Sequence, residues 1–283
     1  MTTAPDALDP VLRPGPAQLR LAELAAPLCD RYGLALAGGH ALRAHGVAAC
    51  DQDGLTLVTD GTERGGAGLP EVAAVLAAAY RAAGGEATER PGTPRLEQLA
   101  VRLGLGGRIH SVELRKEPLA HRAVRLVLGP GAEGEPGASP SLDVPVPVVL
   151  PVVALEDAAA LTTALLVDRG MPRDLIDVHA LTANYRPGEL VALASALDND
   201  FQPTALAERL ETLAEAADGR FRARGYAVDA VPGLKRWALE WAQDLRLDLL
   251  ETQEAADGLH DPYLEDPELV DTADLDDLPD DEG

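Results

Sequence analysis

The chain has 283 residues, enough to bury a hydrophobic core without disulfides or a structural metal. Its net charge of −23 argues against broad nucleic-acid binding, because phosphate binding depends on Lys and Arg. No run of 18 apolar residues occurs, so we expect no membrane span. The two cysteines, Cys29 and Cys50, give no disulfide framework and favour a reducing cytoplasm.

The first half of the chain predicts alternating helices and strands. Residues 1–15 are rich in proline and are predicted to form a flexible leader. Two short apolar stretches, at 34–37 before Gly38-Gly39 and at 55–59, predict strands. Helical spacing of apolar residues and Ala-rich composition predict helices at 17–31, 40–46 and 69–84.

The middle of the chain is predicted to be rich in strands and the remainder to be helical. Strands are expected at 96–104, 109–115 and 122–128, followed by a Gly/Pro/Ser-rich loop at 129–141. Alternate prolines at 144–157 predict an edge strand or an extended connection. The predicted helices are 155–169, 173–184, 187–197, 203–217 and 232–256. We therefore expect an α/β domain at 16–153 and an all-α domain at 154–257.

The end of the chain is strongly acidic. The 37 residues after Arg246 contain 15 Asp or Glu and no Lys or Arg, so 258–283 is predicted to be a disordered acidic tail. Two interpretations stay open: a solubilising tail, or a docking segment for a basic partner. The apolar anchors of such a docking segment would be Leu264, Leu269, Leu275 and Leu278.

Six segments between about 20 and 245 carry a family resemblance: LALAGGHALRAHG (34–46), GLTLVTD (54–60), VEL (112–114), LEDAAALTTALLVDRG (155–170), RDLIDVHAL (173–181) and GELVALASALDNDF (188–201). Together they resemble nucleotidyltransferases of the abortive-infection toxin type (AbiEii/AbiGii), in their actinobacterial form. The resemblance implies a polymerase-β-like fold, in which a small mixed sheet with helices precedes a helical domain. It also implies transfer of a nucleoside monophosphate from an NTP, with two Mg²⁺ ions held by carboxylates.

The resemblance also implies where the metal site belongs, and there the sequence departs from the family. The two Asp-x-Asp positions fall on Gly54 and Thr56, the third acid on Glu113, and the phosphate-neutralising Lys on Thr162. Two metal ligands and one cation are thus missing together, which is the pattern expected after loss of catalysis. The alternative is that Asp51 and Asp53, an Asp-x-Asp three residues earlier, hold Mg²⁺ together with Glu113.

Two further segments are candidates for nucleotide binding. Gly38 and Gly39 lie between a predicted strand and a predicted helix that begins at His40, and glycine there lets the backbone approach a phosphate. In the family, the segment around RDLIDVHAL braces the nucleotide site; the candidate nucleotide-binding residues here are Arg169, Arg173, Asp174 and Asp177. The alternative is that they are structural, with Arg173 and Asp177 pairing across one helical turn.

Two functions therefore stay open. The favoured one is a catalytically degraded nucleotidyltransferase that binds an NTP or a protein partner, either antitoxin-like or attached through the acidic tail. The alternative is an active Mg²⁺-dependent enzyme that modifies RNA or a protein hydroxyl in a toxin–antitoxin or phage-defence setting. A local basic groove for RNA would consist of Arg102, Arg115, Lys116, Arg122 and Arg125.

Overall fold

The computed structural model describes residues 15–50, 53–61, 67–104, 107–128 and 148–259, with side chains of the last helix described as far as Thr252. The predicted leader, the Gly/Pro/Ser-rich loop and the acidic tail lie almost entirely outside these residues. Within the described part of the chain, no helix is long and apolar enough to cross a bilayer.

One mixed sheet organises the first half of the described chain. Its order is β3-β4-β5-β2-β1-β7-β6, with parallel pairing of β2 with β5 and of β1 with β7 and antiparallel pairing elsewhere. The strands are β1 (Ala35–Ala37), β2 (Leu55–Thr59), β3 (Glu86–Thr93), β4 (Leu96–Arg102), β5 (Ile109–Lys116), β6 (Val124–Leu128) and β7 (Val148–Val152). The prediction of a mixed sheet followed by helices is confirmed.

The helices divide between the sheet and a helical region that follows it. Those of the first half are α1 (Pro16–Tyr32), α2 (Gly38–Ala44) and α3 (Leu69–Ala82). Those of the second half are α4 (Leu155–Arg169), α5 (Pro172–Leu181), α6 (Pro187–Leu197), α7 (Pro203–Ala214), α8 (Asp218–Arg222) and α9 (Val231–Leu259). Helices α1 and α3 pack together against the sheet, and the hydroxyl of Tyr80 on α3 donates a hydrogen bond to the carbonyl of Leu21 on α1.

Strand alternation places the core and the site on different sides of the central strands. Leu57 of β2 and Leu114 of β5 are fully buried, and they are register partners. The residues directly before them, Thr56 and Glu113, are also register partners and are half-buried. Because successive side chains of a strand point to opposite faces, Thr56 and Glu113 share the face away from this core pair.

The structure corrects the sequence prediction at two strands. The sequence predicts an edge strand or a connection at 144–157, but β7 lies inside the sheet between β1 and β6. Pro151 is tolerated there because the β1–β7 register consists of one pair, Leu36 with Val152. Strand β3 is absent from the sequence prediction, because its sequence EATERPGT is charged and contains Pro and Gly. It forms by pairing with β4, and a register shift between Arg90 and Thr93 accommodates the Pro-Gly pair.

Candidate functional site

A cavity of about 130 Å³ lies between the central strands and helix α4. We call it the central cavity. Its walls come from the β1–α2 junction, β2 with the residues before it, β5, α4 and the start of α5. The lining residues are Ala37, Gly38, Asp53, Gly54, Leu55, Thr56, Val58, Ser111, Glu113, Arg115, Glu117, Leu161, Thr162, Leu165, Arg169 and Arg173.

The three positions that the resemblance assigns to metal ligands meet in this cavity. Gly54, Thr56 and Glu113 all line it, and Thr56 and Glu113 lie opposite each other on parallel strands. Glu113 is the single carboxylate among them, and its Oε2 lies 4.0 Å from Nη1 of Arg115. The strands therefore bring the family positions together, while the side chains at two of them are not metal ligands of the carboxylate type.

The backbone around Gly54 leaves no room for a side chain. A Cβ atom added to Gly54 would lie 1.8 Å from the carbonyl oxygen of Ser111 on β5. The Gly54 carbonyl also accepts a hydrogen bond from Nε2 of His40 at 2.8 Å. A carboxylate at position 54 would therefore require β2 and β5 to move apart.

His40 contacts the residue before β2 and does not line the cavity. The side chain is fully buried, and because Nε2 donates to a carbonyl, Nδ1 accepts a hydrogen bond from Nη2 of Arg43 at 3.3 Å. Of the two neighbouring glycines, Gly38 lines the cavity and Gly39 does not. Gly38 has a φ of 67°, a left-handed conformation that favours glycine at the start of α2.

The alternative metal ligands are split between described and undescribed residues. Asp51 lies outside the described residues. Asp53 lines the central cavity, but its side chain is 54% exposed and its Oδ2 lies 2.8 Å from Nη2 of Arg108. Across the described ranges, no group of three or more His, Cys, Asp or Glu side chains could hold a metal ion. The described residues alone therefore do not fit a Mg²⁺ site, and the set that includes Asp51 stays a prediction.

The position assigned to the family's lysine carries no charge. Thr162 lines the cavity from α4, and its hydroxyl donates a hydrogen bond to the carbonyl of Ala158, one turn earlier, at 2.7 Å. Thr162 therefore presents a methyl group and an already bonded hydroxyl at this wall. Positive charge comes instead from three arginines elsewhere in the cavity: Arg115, Arg169 and Arg173.

Two of these arginines are held by one buried carboxylate. Asp174 lies 2.9 Å from Nη2 of Arg169 and 3.6 Å from Nε of Arg173. Burial raises the pKa of Asp174, and the two guanidinium groups act against that shift. Burial also lowers the pKa of Arg169, while the charges of Asp174 and Glu113 act to raise it. Asp174 thus lies behind the cavity wall and orients two cations that reach the cavity.

Asp177 has a structural contact that the sequence did not predict. It is buried and accepts a hydrogen bond from the backbone N–H of Cys50 at 2.6 Å, which ties α5 to the segment before β2. Burial is the main cause that raises the pKa of Asp177 to about 7. The predicted pairing of Arg173 with Asp177 is wrong, because among the described residues Arg173 forms its ion pair with Asp174.

Other basic residues proposed as one groove are dispersed. Of the five, Arg115 lines the central cavity, where its Nε is 2.7 Å from Oε1 of Glu117. Arg102 pairs with a neighbouring strand through Glu86. The pairing partner of Arg125 is Asp30 on α1. Glu117 also lines the cavity and was not predicted from the sequence. The signal that could have found it is strand alternation, because every second residue from Ser111 to position 117 faces the cavity.

No protein-family model matches the sequence, and no curated protein matches it. Among solved structures, the chain is similar to MenT4, the nucleotidyltransferase toxin Rv2826c of Mycobacterium tuberculosis H37Rv, with a TM-score of 0.52 and 21% identity over 81% of this chain and 82% of that one. It is also similar to JHP933 of Helicobacter pylori (TM-score 0.46, 12% identity, 86% and 96% coverage). A putative nucleotidyltransferase from H. pylori gives a TM-score of 0.45 at 12% identity, with 83% and 96% coverage. The similarity to MenT4 confirms the predicted nucleotidyltransferase fold, whereas the AbiEii-type assignment and the degenerate motif stay predictions.

Proposed function

We propose that this protein is a nucleotidyltransferase-fold protein of the AbiEii type that has lost metal-dependent transfer and acts by binding a nucleotide in the central cavity. The observation that carries the proposal is the close approach of β2 and β5 at Gly54, which leaves no room for a metal-binding side chain. Loss of charge at Thr56 and Thr162 is consistent with it. Mg²⁺ needs several oxygen ligands, and of the three positions where the family has acids, Glu113 alone carries a carboxylate.

The arginines of the central cavity support binding of a phosphate-bearing ligand. Guanidinium groups bind phosphate oxygens through paired, charge-assisted hydrogen bonds without a metal. Arg169 and Arg173 line the cavity with side chains that are 30% and 27% exposed, so a ligand can reach their guanidinium groups. Leu161 and Leu165 add an apolar wall beside them. The cavity thus combines an apolar wall with three arginines and three carboxylates, and the arginines are the groups that would hold the phosphates of a nucleotide.

Under this proposal, the protein is toxin-like and acts in the cytoplasm. MenT4 is described as a nucleotidyltransferase toxin. A degraded member of such a group would act through what it holds, either the nucleotide itself or an antitoxin-like protein partner. Binding without transfer is therefore the property that the first experiment has to separate from catalysis.

The binding test is calorimetric titration of the full chain with ATP, GTP, CTP and UTP in EDTA. We expect at least one NTP to bind without divalent metal, and Arg173→Gln to weaken that binding about tenfold or more, the loss of one charged hydrogen bond. The matched control is Arg90→Gln, an exposed arginine on β3 away from the cavity. An NTP present at a hundredfold excess over its Kd would also stabilise the fold by about 2.7 kcal/mol. Absence of binding by all four NTPs would refute the proposal.

A second function is kept because Asp53 and Glu113 line the same cavity. In that case Asp51, Asp53 and Glu113 would hold Mg²⁺ and the protein would transfer a nucleoside monophosphate to RNA or a protein hydroxyl. The test is incubation with each α-labelled NTP, Mg²⁺ and total RNA or lysate. Labelled product that disappears in Asp53→Asn would establish the enzyme and overturn the degraded-site proposal, whereas binding with no labelled product supports binding alone.

A further inference from the structure

The last helix carries an exposed apolar stripe. Leu239, Leu247 and Leu250 of α9 have relative exposures of 42%, 58% and 55%. At 100° per residue, these three positions fall within an arc of about 80° and span about 16 Å along the helix. We call them the α9 stripe. Isolated exposed leucines are common on protein surfaces, but three that share one helix face can contact the same partner.

The stripe extends beyond the part of α9 that packs on the protein. The inner face of the helix is buried through Leu234, Ala238, Trp241 and Leu245. Next, Arg246 makes a two-bond ion pair with Glu211 of α7, with both N–O distances at 2.8 Å. From 247 to 252 the side chains are exposed, apart from one half-buried leucine. Two of the three stripe leucines therefore lie past this contact with α7.

The charge on this part of α9 identifies the kind of partner. Residues 247–259 contain four acidic side chains and no basic one, and the last turn of the helix has no basic residue. Acidic groups are unfavourable near a helix C-terminus, where the backbone carbonyls carry partial negative charge. A second copy of this chain would bring these carboxylates together and increase the repulsion. A positively charged surface would relieve it.

We propose that α9, from Leu239 onward, is a docking helix for a different protein, one that offers an apolar groove bordered by Lys and Arg. The α9 stripe would fill the groove, as amphipathic helices do when they bind in grooves. The adjoining carboxylates would pair with the basic border. The sequence stays acidic without Lys or Arg as far as Gly283, which would increase the rate of encounter with such a partner. This proposal is independent of what the central cavity binds.

The test begins with a photo-crosslinking amino acid placed in the full chain at position 247, and at position 252 in a parallel sample, in the native cells. Positions 250 and 252 lie about 200° apart around the helix, so Thr252 offers a matched control on another face. The crosslinked protein is identified, purified and titrated with the wild-type chain, Leu250→Glu and Thr252→Glu. Each substitution adds one negative charge to the same region, so a difference between them reports on the apolar face.

We expect a basic protein to crosslink from position 247, and Leu250→Glu to weaken its binding about tenfold or more while Thr252→Glu leaves it within about twofold. Affinity should also fall as salt rises. Circular dichroism and thermal unfolding verify that both variants are folded. The proposal is overturned if the crosslink joins two copies of this chain, if it joins α9 to its own chain, if nothing crosslinks, or if both variants bind the partner equally.

Discussion

Replacing Asp177 with Asn should change how the stability of this protein depends on pH. Asp177 is buried on α5, and its carboxyl group accepts a hydrogen bond from the N–H of Cys50. Burial raises the pKa of Asp177 to about 7 from an ordinary value of 3.8, although the charges of Arg43 and Arg173 act in the opposite direction. The amide introduced by Asp177→Asn would keep an oxygen for the Cys50 N–H and would never become charged.

The direction of the effect follows from proton linkage. Because the folded-state pKa of this acid is raised, the folded protein holds a proton between about pH 4 and 7 that the unfolded chain releases. Its contribution to stability is therefore complete below about pH 4 and is lost as pH rises through 7. A shift of about three pKa units corresponds to about 4 kcal/mol. Asp177→Asn should avoid that loss, so its advantage over the wild type should grow from near zero at pH 4 to that order at pH 8.

The measurement is urea unfolding followed by far-ultraviolet circular dichroism at several pH values between 4 and 8. The difference in unfolding free energy between wild type and Asp177→Asn cancels the contribution of other titrating groups. Asp200→Asn, at an exposed loop carboxylate, is the control and should track the wild type at every pH. If wild type and Asp177→Asn run parallel across this range, the raised pKa of Asp177 and the reasoning from its burial are both incorrect.

Two other predictions concern the close approach of β2 and β5 and the start of α4. Gly54→Ala should lower the unfolding free energy by about 1–3 kcal/mol, because the new Cβ would collide with the carbonyl of Ser111. The control is Gly188→Ala, whose new Cβ meets open space. This control should raise the unfolding free energy by about 0.4–1 kcal/mol in the same urea titration. Asp157 accepts a hydrogen bond from His121 at 2.9 Å, which raises the pKa of that imidazole. Asp157→Asn should therefore lower the pKa of His121, measured by NMR titration. An unchanged pKa would show that the pair does not form.

The elements that the sequence located well are those whose own residues determine them. Strand β2 and helices α4 and α6 have the predicted boundaries, since a continuous apolar run and clear helix start and end signals are local features. Strand β3 could not be found in this way, because its side chains are mostly exposed and its pairing with β4 holds it in the sheet. The position of β7 inside the sheet could not be predicted either, because strand order depends on contacts between residues that are distant in the sequence.

At the candidate site, too, the sequence predicted features that depend on nearby residues and missed contacts between residues far apart in the chain. The resemblance placed Gly54, Thr56 and Glu113 on two strands, and the structure places all three at one cavity. It gave no means of knowing that Asp177 contacts Cys50, which lies 127 residues earlier in the chain. Helical spacing in the sequence predicts which side chains lie one turn apart. It does not predict the hydrogen-bond partner of a buried carboxylate, because the tertiary fold determines which donor lies next to it.

On the proposed function, restoring one residue would not restore the enzyme. An Asp at position 54 needs space that the carbonyl of Ser111 occupies, and the His40 hydrogen bond holds the Gly54 backbone where it is. A charge at position 162 would have to replace a side chain whose hydroxyl is bonded within its own helix. The backbone spacing and the side chains thus both disfavour a metal site under this proposal, so Gly54→Asp should give an unstable protein that still transfers no nucleotide. Mg²⁺-dependent transfer by that variant would mean that the strands separate readily, and that the closed arrangement at Gly54 is not what prevents metal binding.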